Sequence, residues 1–313
     1  MQVVIVGAGL AGLSLASKLR ALEFSGKIAM FGDEPTPPYD RPPLSKGYLS
    51  GATDLHEIAL RPNEFFTENE ISLHTGCRVT AIDRATRKIR FGSEEFSFDQ
   101  LGLTTGVVPL GLPENVTGGL SGVFPLRTLK DADRIREAFE TARSVVVVGG
   151  GYIGLELGIT YKMLGSDVTI VEAEDSILPI FDKELRRPLE LFVKKNKIKV
   201  NTGVFAKGVE DTKDGKTKLF FIDKNAKEGT KPEEIIADKI LVTVGRKPNS
   251  DALKPTGVAL NERGFVKVNN RCETNMKGVY AIGDVCDSGE MLAHVASFQG
   301  EMVAEIISGK KRA

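Results

Sequence analysis

The stretch VVIVGAGLAG at residues 3–12 decides how the chain begins to fold. Its β-branched run ends at Gly7, and Leu13, Ala16 and Leu19 then recur at helical spacing. A short apolar run bounded by glycine is typical of a strand that is covered on both faces. Glycines at this turn let backbone N–H groups and the helix dipole approach a pyrophosphate. We therefore predict a strand, a nucleotide-binding turn and a helix, although a tightly packed turn without a ligand would show the same pattern.

A second apolar run, KIAMF at residues 27–31, ends in Asp33 and Glu34. An acidic residue about twenty positions beyond the glycine turn is where a ribose hydroxyl pair is bound in such folds. We choose Glu34 for this role; the alternative is that both carboxylates are solvated loop residues.

The same pattern returns in the middle of the chain, where SVVVV at residues 144–148 runs into GGGYIG at 149–154. A further strand, DVTIV at residues 167–171, ends at Glu172. Two matching copies indicate an internal repeat, and hence an α/β protein with two Rossmann-like dinucleotide-binding domains. The Glu172 carboxylate can accept a hydrogen bond from a 2′-hydroxyl and would repel a 2′-phosphate, which favours NAD(H) over NADP(H).

Glycine and proline mark the domain boundaries. The strand at residues 101–109 runs into a glycine-rich connector at 111–122, and GRKPN at residues 245–249 interrupts the chain again. We expect residues 1–110 and 245–313 to form the first domain, with the second, residues 111–244, inserted in it. The last predicted strand stops at Asp284, at the edge where open α/β sheets bind ligands. The following helix, ending near residue 307, would direct its positive N-terminal end at a ligand's developing negative charge.

The segment PPYDRPPLSK at residues 37–46 contains four prolines, which would hold Arg41 and Lys46 in place. Two fixed cations suit a phosphate and an electron-rich ring. The alternative is a rigid surface loop with solvated basic residues.

The composition limits the functional classes. Lys and Arg (42) balance Asp and Glu (42) in the 313 residues, so no overall field favours nucleic acid or an anionic membrane. Neither a secretory signal nor a stretch of bilayer length is present, and we expect a cytoplasmic protein. The spacing of Cys77, Cys272 and Cys286 predicts unpaired thiols, and we expect no metal site.

These motifs together resemble the two-dinucleotide flavoprotein reductases of the pyridine nucleotide-disulfide oxidoreductase type. That family includes ferredoxin, rubredoxin and putidaredoxin reductases, apoptosis-inducing factor, NADH oxidases and dihydrolipoamide dehydrogenases. The segment RPPLSK at residues 41–46 is similar to the ferredoxin and rubredoxin reductases, whereas the chain from about Val145 is more similar to dihydrolipoamide dehydrogenase. Leu110 departs from the family, which usually has arginine there, and the family's C-terminal interface domain is not found by residue 313. The chain is therefore either part of a longer protein or a short form, and a monomer is expected without that domain.

The resemblance implies that FAD binds the first domain and NAD(H) the second. Glu34 would hold the adenosine ribose of FAD, Asp284 the ribityl chain, and Tyr152 would cover the nicotinamide pocket. Lys46 beside flavin N5 and its partner Glu156 are the implied catalytic residues. The implied cofactor-binding residues are Gly7, Gly9, Leu10, Ala11, Gly12, Glu34, Arg41, Lys46, Val79, Thr104, Thr105, Gly106, Gly149, Gly151, Tyr152, Ile153, Gly154, Glu156, Glu172, Gly245, Arg246, Gly283, Asp284, His294 and Val295.

By the same resemblance, the expected function is that of an FAD-dependent oxidoreductase. It would transfer hydride from NADH to FAD and pass electrons to a small redox protein, rubredoxin or ferredoxin. The alternatives are an NADH oxidase or diaphorase that reduces oxygen or quinones, and a flavin redox sensor or scaffold without turnover. Disulfide reductases of this family have a close cysteine pair that the sequence lacks.

Overall fold

The computed structural model describes residues 1–112, 116, 122–287 and 289–309. Most of the predicted connector at 111–122 therefore lies outside the described residues. The chain divides into two compact units. The first unit comprises Met1–Asp40, Ile58–Val108 and Lys247–Ala313, and the second comprises Arg41–Glu57 and Pro109–Arg246.

The strands of the described residues are β1 Gln2–Val6, β2 Lys27–Phe31, β3 Ile71–His74, β4 Val79–Asp83, β5 Lys88–Phe91, β6 Glu94–Ser97, β7 Gln100–Leu103, β8 Val107–Pro109, β9 Val123–Pro125, β10 Ser144–Val148, β11 Asp167–Val171, β12 Lys199–Asn201, β13 Val204–Asp211, β14 Thr217–Asp223, β15 Glu233–Ala237, β16 Lys239–Val242, β17 Arg246–Pro248 and β18 Val279–Ala281. The α-helices are α1 Leu10–Ala21, α2 Gly47–Ser50, α3 Leu55–Ile58, α4 Asn63–Glu68, α5 Leu129–Phe139, α6 Tyr152–Met163, α7 Lys183–Lys195 and α8 Ala293–Ser308. Short 3₁₀ helices span Pro42–Ser45, Asp251–Thr256 and Gly283–Val285.

The first unit is built on a five-stranded parallel sheet in the order β18-β7-β1-β2-β3. Val3, Val4 and Ile5 of the central strand are fully buried, as their unbroken apolar run predicts. Helices α1 and α8 pack so closely that a Cβ on Gly300 would lie only 2.8 Å from the Ala11 carbonyl oxygen. The first glycine turn therefore begins at the carboxyl end of a rigid central strand.

The second unit repeats this plan with the parallel order β12-β11-β10-β16-β9. In each unit the strand before the glycine turn is central, and an antiparallel three-stranded sheet accompanies the parallel one: β4-β5-β6 in the first and β13-β14-β15 in the second. The outermost strand differs, since β18 comes late in the chain whereas β9 precedes the turn of its own unit. The predicted α/β class with two Rossmann-like units is confirmed.

Residues 41–57 differ from the sequence-based organisation, which placed them with the first domain. They cluster with the second unit. The Thr160 hydroxyl on α6 donates to the Ser45 carbonyl oxygen at 3.0 Å, and the Tyr48 hydroxyl donates to Asp133 on α5 at 2.7 Å. These hydrogen bonds join residues 85 to 115 positions apart, so local sequence patterns cannot reveal them.

Across the described part of the chain, no helix combines the length and apolar character needed to cross a membrane.

Candidate functional site

The first glycine turn joins β1 to α1. Gly7 has a φ of +118°, which side-chain-bearing residues rarely adopt. A Cβ on Gly12 would lie 2.3 Å from the Gly7 carbonyl oxygen, so only glycine lets α1 begin this close to the strand. A Cβ on Gly9, in contrast, would meet nothing within 4 Å and would project into open space. Leu10 and Ala11 form the first helical positions behind it.

The second turn, between β10 and α6, has the same geometry. Gly149 has a φ of +107°, and a Cβ on Gly154 would lie 1.9 Å from the Gly149 carbonyl oxygen. A Cβ on Gly151 would again meet nothing within 4 Å. Ile153 lies in the first turn of α6. The equivalence predicted from two sequence motifs thus extends to the conformation of the backbone.

Both helix starts suit a phosphate. Gly9 precedes α1 and Gly151 precedes α6, neither helix start has a side-chain cap, and neither first turn contains an acidic residue. The backbone N–H groups and the positive dipole end are therefore directed at the open space in front of these two glycines. The residues fit a dinucleotide pyrophosphate at each turn.

The two predicted ribose carboxylates follow β2 and β11. The Tyr39 hydroxyl donates to Glu34 Oε2 at 2.6 Å. Glu172 is 8% exposed and accepts two backbone N–H bonds, from Gly150 at Oε2 and from Glu174 at Oε1 at 2.8 Å. Each carboxylate oxygen can accept a second hydrogen bond, so Glu172 can also hold ribose hydroxyls.

Lys46 and Glu156 form an ion pair within the second unit, with Nζ 2.8 Å from Oε1. The other carboxylate oxygen, Oε2, accepts a 2.5 Å hydrogen bond from the hydroxyl of buried Ser45. Thr160, one helical turn beyond Glu156, donates to the Ser45 backbone. The pair that the resemblance implies is present, whereas its catalytic role stays a prediction.

Four further predicted residues of the second unit have defined surroundings. Arg41 donates from Nη1 to the Arg127 carbonyl oxygen at 2.7 Å, and its role toward a cofactor stays a prediction. Tyr152, the first residue of α6, is 55% exposed and meets the Phe181 ring edge-on at 5.6 Å between centroids. Its ring is therefore accessible beside the second glycine turn. Gly245 adopts a φ of +125°, its carbonyl accepts from the Leu110 N–H at 2.8 Å, and Arg246 follows at the start of β17.

In the first unit, Asp284 lies in the 3₁₀ turn after β18, as predicted from its place behind the last strand. Gly283 before it has a φ of +75° and donates its N–H to Gln299 Oε1 on α8 at 2.7 Å. His294 and Val295 lie in the first turn of α8. These residues place a carboxylate and a helix N-terminus in the same unit as the first glycine turn.

Residues 104–106, directly after β7, form hydrogen bonds with Asn249 of the same unit. The Thr105 hydroxyl donates to the Asn249 carbonyl oxygen at 2.8 Å, and the Asn249 N–H donates to the Gly106 carbonyl oxygen at 2.9 Å. Thr104 is 6% exposed. Val79 begins β4.

The sequence analysis missed four residues that support these sites: Ser45, Thr160, Thr243 and Gln299. Only Thr243 had a sequence signal, because Thr243-Val244-Gly245 repeats the Thr-x-Gly spacing of Thr104-Thr105-Gly106 after the corresponding strand.

Thiol chemistry is disfavoured at Cys272. Burial, together with nearby Cys286, raises the pKa of the Cys272 thiol to about 12. All three cysteines are free, and because the thiolate is the nucleophile, Cys272 is inert near neutral pH. In the described residues, no group of three His, Cys, Asp or Glu side chains could hold a metal ion.

Comparison with known proteins agrees with this geometry. The family model for pyridine nucleotide-disulphide oxidoreductases matches residues 1–300. The chain is 34% identical over 293 residues to a probable ferredoxin reductase of Castellaniella defragrans, covering 91% of this chain and 67% of that protein. It is 36% identical over 229 residues to the dihydrolipoyl dehydrogenase of Bacillus subtilis, covering 70% of this chain and 44% of the relative. The chain thus spans less than half the length of that dehydrogenase.

Among solved structures, the covalent putidaredoxin reductase–putidaredoxin complex matches with a TM-score of 0.90 and 28% identity. The match covers 99% of this chain and 75% of that one. The resemblance predicted from the motifs, including its mixture of reductase and dehydrogenase features, is confirmed.

Proposed function

The chain belongs to the pyridine nucleotide-disulphide oxidoreductase family, and on that premise we propose that it is an NADH-dependent FAD reductase that supplies electrons to a small redox protein. The observation that supports this proposal is the presence of two equivalent glycine turns, one in each unit, each followed by a carboxylate suited to a ribose. One nucleotide would need only one such turn.

The first unit would hold FAD through the N–H groups around Gly9, with Glu34 on the adenosine ribose and Asp284 on the ribityl chain. The second would hold NADH through the turn at Gly151, with Glu172 on the ribose. When bound, FAD supplies the chemistry that accepts one hydride, and with it two electrons, and releases these electrons singly.

Lys46 has the electrostatic role in this proposal. Its ammonium is held by Glu156 at 2.8 Å, while the Ser45 hydroxyl fixes the opposite carboxylate oxygen. A cation with a fixed position stabilises developing negative charge without reorganising during the reaction. Tyr152, exposed beside the second turn, would cover the nicotinamide pocket until NADH enters.

We propose a rubredoxin or a ferredoxin as the acceptor. The support is that one relative is named a probable ferredoxin reductase and that a similar structure is a reductase in complex with putidaredoxin. Because the reductases and the dehydrogenase are both longer than the match, the acceptor is a proposal about the whole protein. The free cysteines are consistent with a reducing compartment, and we propose the cytoplasm.

The test is anaerobic addition of NADH to FAD-loaded protein, followed by flavin absorbance. We expect NADH to bleach the oxidised flavin at least as fast as the enzyme turns over, and NADPH to bleach it much more slowly. Turnover with rubredoxin, ferredoxin and oxygen then identifies the acceptor. A flavin that stays oxidised in excess NADH contradicts the proposal, and turnover with oxygen alone would make the protein an oxidase.

A further inference from the structure

A threonine occupies the same position beside both glycine turns. Thr104 directly follows β7 and Thr243 directly follows β16, the strands that pair with β1 and β10. The Thr104 N–H donates to the Val6 carbonyl oxygen, and the Thr243 N–H donates to that of Val148, both at 2.8 Å. The threonine backbones are therefore fixed to the last residue of the strand before each turn.

The threonine hydroxyls contact the next residue of the chain, the first glycine of each turn. Thr104 Oγ1 donates to the Gly7 carbonyl oxygen at 2.7 Å. Thr243 Oγ1 lies 3.0 Å from the Gly149 carbonyl oxygen and 3.1 Å from that of Val148, so its hydroxyl is shared between these two neighbouring carbonyls. Both glycine carbonyl oxygens pack beneath the first turn of the following helix, where the third glycine makes room. A buried carbonyl oxygen is costly to leave without a donor, so these hydroxyls hold the first peptide of each turn.

In the second unit the first peptide of the turn, Gly149–Gly150, is hydrogen-bonded at its N–H as well as at its C=O. The Gly149 C=O and the Gly150 N–H belong to one planar trans peptide and point in opposite directions. The threonine hydroxyl binds the carbonyl, and the Gly150 N–H donates to Glu172 Oε2. Rotation of this peptide would therefore break both hydrogen bonds and leave the Glu172 carboxylate held only by the Glu174 N–H at Oε1.

We propose that Thr243 is a positioning residue for Glu172, and that through the Gly149–Gly150 peptide it sets the preference for NADH over NADPH. This inference rests on the proposed function, because it takes the second turn as the nicotinamide dinucleotide site. A carboxylate held at both oxygens can accept both ribose hydroxyls and repel a 2′-phosphate, whereas one held at a single oxygen is less precisely placed for either task.

The test compares the FAD-loaded wild type with Thr243→Val, Thr243→Ala and Thr243→Ser. Calorimetry measures the dissociation constants of the oxidised nucleotides NAD⁺ and NADP⁺, which bind without reducing the flavin. We expect Thr243→Val to weaken NAD⁺ about tenfold and NADP⁺ hardly at all, because one buried hydrogen bond to the turn is lost. Thr243→Ser keeps the hydroxyl and should restore the wild-type ratio.

Thr104→Val is the matched control, since it removes the equivalent hydroxyl from the other turn. It should lower FAD retention and leave the NAD⁺ to NADP⁺ ratio unchanged. An unchanged ratio in Thr243→Val, an equal loss of both nucleotides, or the same change of ratio in Thr104→Val would overturn the inference. Failure of both Thr243→Val and Thr243→Ala to fold would show a general structural role and overturn it as well.

The inference and the proposed function can fail separately. A wild type that binds neither nucleotide contradicts both, whereas a wild type that prefers NAD⁺ with a ratio insensitive to Thr243 contradicts the inference alone.

Discussion

The Lys46 ammonium lies 2.8 Å from the Glu156 carboxylate, although 109 residues separate them in the chain. The first residue follows a proline-rich 3₁₀ turn and the second lies on α6, beyond the second glycine turn. The ion pair therefore fixes a cation from residues 41–57 to the helix that begins at the proposed NADH site.

Lys46→Ala should slow flavin reduction by NADH about a hundredfold and leave FAD content nearly unchanged, because the cation acts on developing charge and not on phosphate binding. Stopped-flow absorbance measures the rate. Lys162→Ala is the matched control, since it also removes an ammonium that is paired with a carboxylate, here Asp167 at 3.1 Å. Equal rates in Lys46→Ala and the wild type would rule out the assigned role.

Ser45→Ala should reduce the free energy of unfolding by about 1–2 kcal/mol, since the lost hydroxyl belongs to a buried serine and donates to the half-buried Glu156 carboxylate. Chemical denaturation at neutral pH provides the measurement. Ser50→Ala, at an exposed position of the same segment, should change the unfolding free energy by less than about half a kcal/mol. If the two variants are equally stable, the Ser45 hydrogen bond contributes nothing measurable.

Glu172→Gln should bring the affinities for NADH and NADPH closer together by about tenfold, because the amide keeps the shape of the side chain and loses the charge that repels a 2′-phosphate. Binding of both nucleotides to FAD-loaded protein gives the ratio. Exposed Glu174→Gln serves as the control at a distance of two residues. A ratio that Glu172→Gln does not alter would remove Glu172 from cofactor selection.

Asp284→Ala should cost FAD binding, giving colourless protein after purification, because the carboxylate lies at the ligand edge of the first sheet. The flavin-to-protein absorbance ratio is the measurement. Asp287→Ala, three residues later and exposed, should retain its colour. Full flavin content in Asp284→Ala would show that this carboxylate does not hold the cofactor.

The Asp238 carboxylate should stabilise the second unit at neutral pH, and this contribution should be lost in acid. Although burial opposes it, hydrogen bonds from the Ser144 and Arg143 N–H groups, the Ser144 hydroxyl and the charge of Lys216 lower the pKa of Asp238 below its ordinary 3.8. Because the folded-state pKa is the lower one, Asp238 stabilises the fold above the unfolded-state pKa, and this contribution is lost as the pH falls through the folded-state value.

Asp238→Asn should therefore be less stable than the wild type at neutral pH, by about 1–2 kcal/mol, and the difference should shrink below pH ~4. Urea denaturation across pH 3–7 follows it. Asp167→Asn, whose side chain is 91% exposed, is the comparison variant. A difference that stays constant with pH would mean that the Asp238 carboxylate charge is not responsible.

Local sequence was sufficient where the physical constraint is local. A strand that is buried on both faces requires an unbroken apolar run, which is present at residues 3–6 and 144–148. The turn after it requires positive φ and hence glycine, and an acid follows the next strand of each copy, at residues 34 and 172. The last helix, predicted to end near residue 307, ends at Ser308, a small difference that reflects the weak signals at element ends.

The supporting residues could not be predicted in the same way. Ser45 meets Glu156 and Thr160 only because residues 41–57 pack with the second unit, and Gln299 reaches Gly283 only because α8 follows the last strand back along the sheet. Serine, threonine and glutamine are common on surfaces, and nothing in their immediate neighbours distinguishes a buried hydrogen-bonding role.

The sequence by itself determined that this protein contains two Rossmann-like units with paired glycine turns, because each strand, turn and helix is encoded within a stretch of about twenty residues. Only the tertiary structure decided which unit holds residues 41–57, how Lys46 meets Glu156, and that Thr243 and Glu172 hold one peptide from opposite sides. Those relationships depend on side chains that are distant in the chain and meet only after the parallel sheets have formed, and their energies come from hydrogen bonds that burial makes costly to lose.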